Sequence, residues 1–187
     1  MDGRCAVFID GGYLDKVLHY DFQNRRIDYE KLAQEMAAPD EMLRAHYYHC
    51  LPYRSSQPTT EERQRYSSMH RFITRLQFLP RFEVRLGRLV VRGYDRDGAP
   101  VFVQKRVDCM VGVDMALIAA KGRITHVAIF TGDSDLIPAV EAVKHESVLV
   151  TLWHGSYSRD TTPSRDLVEV CDERRQLDED VMSRLSR

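Results

Sequence analysis

Residues 124–153 read ITHVAIFTGDSDLIPAVEAVKHESVLVTLW. The stretch opens on a near-continuous apolar run, 124–130, and closes on another, 147–153. A strand has this composition when both of its faces are covered, as happens inside a parallel sheet. Residues 134–145, between the two runs, have helical composition and follow the break TGDSD. Strand, helix and strand in that order predict a right-handed crossover joining parallel neighbours. In such sheets ligands gather outside the carboxyl ends of the strands, where the strand order reverses. The aspartates of TGDSD leave the first strand at that end.

Working outward, residues 4–9 (RCAVFI) form a second buried-strand pattern, broken by Asp10-Gly11-Gly12. A helix is expected over 13–20, and another over 29–38 that stops before Pro39. Residues 44–50 (RAHYYHC) have the aromatic content of a strand. The Pro- and Ser-containing segment 51–60 reads as a loop. Thr59 or Thr60 can cap a helix over 61–79, with Glu62 completing a capping box with Thr59. On that helix Tyr66, Met69, Phe72, Ile73 and Leu76 recur at three and four, which marks a core face set among Arg63, Arg65, Arg71 and Arg75. Residues 82–92 alternate apolar and basic, and 101–104 look like their hairpin partner, with several arginines on one face. A helix over 108–121 precedes the opening strand. After residue 153 come a Ser/Thr/Pro loop, a short strand or turn at 167–170, and a charged helix over 173–187 that packs on its own domain or on a second copy of the chain. No repeat or linker divides the sequence, so one α/β domain is expected over 1–187, with its core at about 4–170.

The 187 residues suffice for one hydrophobic core. Mean hydropathy is -0.41, and no apolar run approaches the ~18 residues of a membrane helix. Residues 1–8 lack the apolar region and cleavage site of a signal peptide. The cysteines Cys5, Cys50, Cys109 and Cys171 form no CxxC pair and are expected as buried free thiols in a reducing compartment. Together these features predict a soluble cytoplasmic protein with no membrane association. The net charge of -1 conceals an asymmetry: residues 63–106 carry eleven Lys/Arg against Glu83, Asp95 and Asp97. That local excess hints at an anionic partner, although a solvated helix face and a charged hairpin would account for it too.

The residues that carry chemistry are acidic. If the strands before them lie centrally in a parallel sheet, Asp10 and Asp133 emerge at one edge, with Asp135 one short step further. Asp114 is expected on the same helical face as Val111, Leu117, Ile118 and Lys121, where an unpartnered carboxylate is costly. A metal ion shared with Asp10, Asp133 and Asp135 would meet that need. Singly, Asp133 and Ser134 fit as helix caps, Asp10 as a turn residue and Asp114 as an exposed side chain. Together the aspartates on an α/β scaffold argue for a site. All-oxygen sites suit Mg²⁺ or Mn²⁺, and such ions support phosphodiester hydrolysis. Neither a GxGxxG nor a Walker A pattern occurs, so a bound dinucleotide or nucleoside triphosphate has little support.

FIDGGYL (8–14), K-x-x-D (105–108), D-x-x-x-I-A-A (114–120) and TGDSDLIP (131–138) resemble the NYN domains, which are PIN-like ribonuclease domains that include the bacterial LabA-like group. The resemblance covers about residues 4–170, and TGDSD is its most specific part. It implies a Rossmann-like, three-layer PIN-type fold with a mostly parallel sheet and an inserted β-hairpin, and metal-dependent cleavage of RNA. Carried over by position, Asp10, Asp114, Asp133 and Asp135 are the acidic metal site and catalytic residues. Asp108 is an additional aspartate of the NYN branch and a further metal ligand. Thr131 and Ser134 would shape the turn or bond the carboxylates, and Lys105 would contact phosphate. Arg71, Arg85, Arg88, Arg92 and Arg106 are the other candidate contacts to single-stranded RNA. Many members have Asn where this chain has Tyr13, which could stack on a base instead. Two rival readings are an RNA-binding or regulatory module without turnover and a metal-dependent phosphatase acting on small esters.

Overall fold

The computed structural model describes residues 3–98, 100–158 and 160–185. In chain order its elements are β1 (Arg4–Asp10), α1 (Gly11–Tyr20), α2 (Tyr29–Ala37), β2 (Glu41–Cys50), α3 (Thr60–Gln77), β3 (Phe82–Tyr94), β4 (Pro100–Lys105), α4 (Val107–Ala120), β5 (His126–Phe130), a 3-10 turn (Ser134–Leu136), α5 (Ile137–His145), β6 (Leu149–His154), α6 (Arg165–Val170), β7 (Glu173–Gln176) and α7 (Glu179–Leu185).

Among the described residues the strands form one sheet in the order β4-β3-β2-β1-β5-β6-β7. Every pair is parallel except the β3–β4 hairpin. From β1 the chain winds outward through β2 and β3 on one side; it then returns to β5 on the other side of β1 and winds outward through β6 and β7. The order therefore reverses between β1 and β5, and Asp10 and the TGDSD turn leave the sheet at that point.

Period-two alternation builds the layers. Cys5, Val7 and Ile9 of β1 face a core completed by α1, α2, α3 and α7. Ala6 and Phe8 face the opposite core, completed by α4, α5 and α6. Phe8 and Phe130 are wholly buried, and removing each from water contributes on the order of 2 kcal/mol. Helix α3 begins at the expected capping box: the Thr59 hydroxyl accepts from the Glu62 amide at 3.2 Å, and the Glu62 carboxylate accepts from the Thr59 amide at 3.2 Å. Such a cap is worth about 1 kcal/mol.

Two expectations fail near the end of the chain. Residues 167–170 belong to helix α6 rather than to a strand or turn. The helix expected over 173–187 is instead a strand, β7, and the shorter helix α7; Ser186 and Arg187 lie outside the described residues. All four side chains of β7 are exposed. Main-chain pairing with β6, from Thr151↔Glu173 to His154↔Gln176, holds the strand, and that pairing leaves no apolar signature in the sequence. Helix α7 packs on its own domain through Val181, Met182 and Leu185. Cys109 is exposed, unlike the other three thiols. No helix among the described residues is long and apolar enough to cross a membrane.

Candidate active site

Asp10 ends β1 and caps α1. Its Oδ1 accepts from the Gly12 amide at 2.9 Å and the Tyr13 amide at 3.2 Å. Those bonds fix the carboxylate, and Oδ2 has no hydrogen bond among the described residues. Gly11 and Gly12 permit the tight start. A Cβ on Gly11 would strike the Tyr47 hydroxyl, and one on Gly12 would stand 3.0 Å from the Gln104 amide nitrogen. On the neighbouring strand, buried Thr131 accepts from the Asp133 amide at 3.3 Å, and Asp133 Oδ1 accepts from the Asp135 amide at 2.9 Å. This is the short Asx-type turn that TGDSD encodes.

The two turns form the floor of a cleft of about 500 Å³ lined by Asp10, Asp108 and Asp133 together with Lys16, Gln104 and Ser134. Asp108 reaches it from the first turn of α4, directly after the β3–β4 hairpin. The carboxylates influence one another electrostatically. Burial raises the Asp10 carboxyl above its ordinary value and the Asp108 charge adds to this, while the Tyr13 and Gly12 amides and His49 oppose it. Loss of solvent in the cleft raises the Asp108 carboxyl, reinforced by the charges of Asp133 and Asp135. Asp135 does not line the cleft but lies close enough to act on Asp108 in this way.

Asp114 is placed elsewhere. It is buried on α4 beside Val111, as expected, whereas Leu117 is 56% exposed. Its Oδ2 accepts from the Tyr48 hydroxyl at 2.8 Å and lies 3.0 Å from Arg85 Nε. The cation that compensates this buried carboxylate is therefore Arg85, on β3, and Asp114 does not line the cleft. Arg85 also pairs with Glu83 at 3.0 Å. It is thus committed to carboxylates rather than free for phosphate.

The other expected residues are distributed unevenly. Tyr13 lines the cleft, but its hydroxyl donates to the Thr161 carbonyl at 2.5 Å and accepts from the Gly155 amide at 3.2 Å, and its ring tilts against Phe130. Those contacts hold the ring against β5 and the loop after β6. Lys105 and Arg92 share a shallow groove on the hairpin with Val103, which also lines the cleft. Arg106 is exposed at the cap of α4, and Arg88 is exposed on β3, paired in register with Lys105. Arg71 lies in a separate groove on α3, with Arg63.

Sequence reasoning missed Lys16, Gln104, Asp160, Thr162 and Ser164, all of which line the cleft. The last three belong to the loop after β6, which is held by Asp21. That carboxylate accepts from the Ser156 amide at 2.8 Å, the Ser156 hydroxyl at 2.8 Å and the Thr161 hydroxyl at 3.0 Å. A usable signal existed: the loop follows the carboxyl end of a parallel strand beside the switch point.

The donor set is all oxygen, which suits a hard divalent cation. Among the described residues no three Asp, Glu, His or Cys side chains close into a ready metal-holding group. The carboxylates surround the cleft rather than forming a finished shell. Burial, with the neighbouring carboxylates adding to it, raises Asp10 and Asp108; a bound cation would offset both effects, so the donor set fits such an ion.

The model of one family, the NYN domain, matches residues 4–178. The chain belongs to the NYN domain family. NYN domains are members of the PIN-like nuclease superfamily, and the match spans nearly the whole chain. No match was found among curated proteins. Among solved structures this NYN domain is similar to a protein of unknown function from Vibrio parahaemolyticus, with a TM-score of 0.59 and 19% identity, covering 96% of this chain and 95% of that one. At that identity the likeness concerns the fold alone.

Proposed function

We propose that this NYN domain hydrolyses phosphodiester bonds in RNA, preferring single strands, with Mg²⁺ or Mn²⁺ held by Asp10, Asp108 and Asp133. The observation that carries this reading is the meeting of those three carboxylates in one cleft at the point where the strand order reverses. When bound, the ion would supply Lewis-acid activation of water and neutralisation of phosphate charge. The chain's own residues perform the rest. The Gly12 and Tyr13 amides orient Asp10. Thr131 and Asp133 hold the turn that presents Asp133, and Ser134 lines the wall beside it. Asp135 adds negative charge at the edge of the cleft. Lys16, the cation among the described cleft residues, is placed to contact a phosphate.

The groove of Arg92 and Lys105 meets the cleft at Val103 and offers a continuation for the backbone. Arg88 and Arg106 extend this basic surface. Phosphate contacts of this kind position a strand without reading its sequence. In this reading Asp114 positions Arg85 and Tyr48 and is not a ligand.

The test is cleavage of labelled single-stranded RNA with Mn²⁺, with Mg²⁺ and with EDTA, wild type beside Asp133→Asn. Metal-dependent cutting that disappears in the variant is expected. Cutting that survives in Asp133→Asn, or in EDTA, refutes the assignment. The open spacing of the carboxylates favours one second reading, an RNA-binding module without turnover. That reading predicts salt-sensitive binding with no product in either protein. Small phosphate esters assayed in parallel separate a phosphatase from both.

A further inference from the structure

A cavity of about 900 Å³ is a second site and not part of the acidic cleft. It lies on the other face of the sheet, between α1, the segment leading into α2, and α3. Its floor is apolar, with Leu18, Ile27, Phe72 and Leu76 among its lining. Its charge is basic. Arg25, Arg26 and Arg75 all line it, against a single carboxylate among the described residues, that of Asp15.

The pairing of these groups decides the sign of the site. Asp15 bonds His49, with Nε2 2.9 Å from its Oδ2, and makes no ion pair with the three arginines among the described residues. Arg25 is held by Glu179 at 2.7 Å. Arg26 and Arg75 make no ion pair among the described residues. The cavity therefore combines an apolar floor with two guanidinium groups that no ion pair engages among the described residues, against the one carboxylate of Asp15. Its size falls in the range of small-molecule sites, roughly 300–1,000 Å³.

We propose that this cavity binds a nucleotide, with the base against the apolar floor and the phosphate held by Arg26 and Arg75. A guanidinium presents paired donors that match phosphate oxygens, and the floor accepts a flat ring that water solvates poorly. The same chemistry is offered by a free mononucleotide and by the phosphorylated end of an RNA strand. The site does not depend on cleavage in the acidic cleft, because none of the residues named for it lines that cleft.

The experiment is calorimetric titration of the intact protein in EDTA with adenosine 5′-monophosphate, with adenosine, and with a short 5′-phosphorylated single-stranded RNA. Arg26→Gln and Arg75→Gln alter exposed side chains, so the fold is expected to survive, and circular dichroism checks this. Arg123→Gln, at an exposed position before β5 that lines neither cavity, is the control. Each arginine replacement is expected to weaken binding about tenfold, the loss of a charge-assisted hydrogen bond, while Arg123→Gln leaves mononucleotide binding unchanged. Arginine-dependent binding of the mononucleotide identifies the free nucleotide as a source of the ligand. Arginine-dependent binding of the RNA alone identifies the strand end. The proposal is overturned if adenosine binds as well as its monophosphate, if both arginine variants bind like wild type, or if neither phosphorylated probe binds at millimolar concentration.

Discussion

Replacing Asp114 by Ala separates a structural carboxylate from a metal ligand. Tyr48 is wholly buried and its hydroxyl donates to Asp114; burial, then the neighbouring carboxylate, raise the phenol's pKa, so it remains a donor. Deleting the acceptor strands that hydroxyl at a cost of about 1–3 kcal/mol. The ion pair adds less. The Arg85 side chain is 41% exposed, so solvent screens the pair to about 1 kcal/mol or below, and Arg85 keeps Glu83 as a partner. The total is about 1–4 kcal/mol, which for a domain of this size lowers the melting temperature by roughly 2–15 °C. Asp114→Asn retains an acceptor for Tyr48 and is expected to cost about 1 kcal/mol. Thermal unfolding followed by circular dichroism in EDTA, repeated with Mn²⁺, reads both effects. Each Asp114 variant is expected to melt earlier and still gain stability from Mn²⁺, whereas Asp133→Asn melts near wild type and gains none. If Asp114→Ala melts like wild type in EDTA, or loses the Mn²⁺ gain that Asp133→Asn retains, the placement of Asp114 is wrong.

Three other outcomes follow from the electrostatics and packing. Loss of solvent, then the Asp133 charge, raise the Asp108 pKa, so its charged form opposes folding once the pH exceeds the ordinary carboxyl value; Asp108→Asn should therefore raise the melting temperature at pH 7 in EDTA while reducing the Mn²⁺ gain, and a lower melting temperature would contradict that desolvation and repulsion. His46 is 3% exposed, neither ring nitrogen is hydrogen-bonded among the described residues, and burial lowers its pKa against the opposing charge of Glu83, 3.8 Å from Nδ1. Its contribution is present above the unfolded value of about 6.5 and is lost as pH falls through the folded value, so His46→Phe should flatten the loss of urea midpoint between neutral and mildly acidic pH. Tyr13→Phe leaves the Gly155 amide and the Thr161 carbonyl short of a partner at about 1–3 kcal/mol; hydrogen exchange at 155–164 should quicken, and unchanged exchange would show that the hydroxyl does not hold the loop.

The sheet was legible in the sequence because its inner strands are apolar on both faces, as ITHVAIF and RCAVFI are, and because glycine and aspartate mark where they end. The capping box at Thr59 and Glu62 was equally legible, since it depends on residues three apart. What escaped depends on partners distant in sequence. Helical spacing placed Asp114 among apolar neighbours, but only the assembled sheet brings Arg85 and Tyr48 to it from two other strands. Strand β7 consists of charged and polar residues that pair with β6 through main chain and through side-chain contacts such as Glu173 with Thr151, none of which leaves an apolar pattern, so it could not be told from a solvated helix.

The position where this chain departs from many NYN members carries the same lesson into the site. From sequence, Tyr13 raises the question of whether the cleft has lost an amide that many relatives present. In the fold its phenol spans the gap between α1 and the loop after β6, and its ring lies where a Cβ on Gly132 would come within 2.5 Å of Cε2. The glycine of TGDSD and the tyrosine of FIDGGYL therefore fit as a pair, one clearing the space that the other fills. The hydroxyl ties down the loop that brings Asp160, Thr162 and Ser164 to the cleft. A small amide side chain in place of Tyr13 would leave both the space and the loop unsupported. Tyr13 thus acts on the cleft through the wall that carries those three residues.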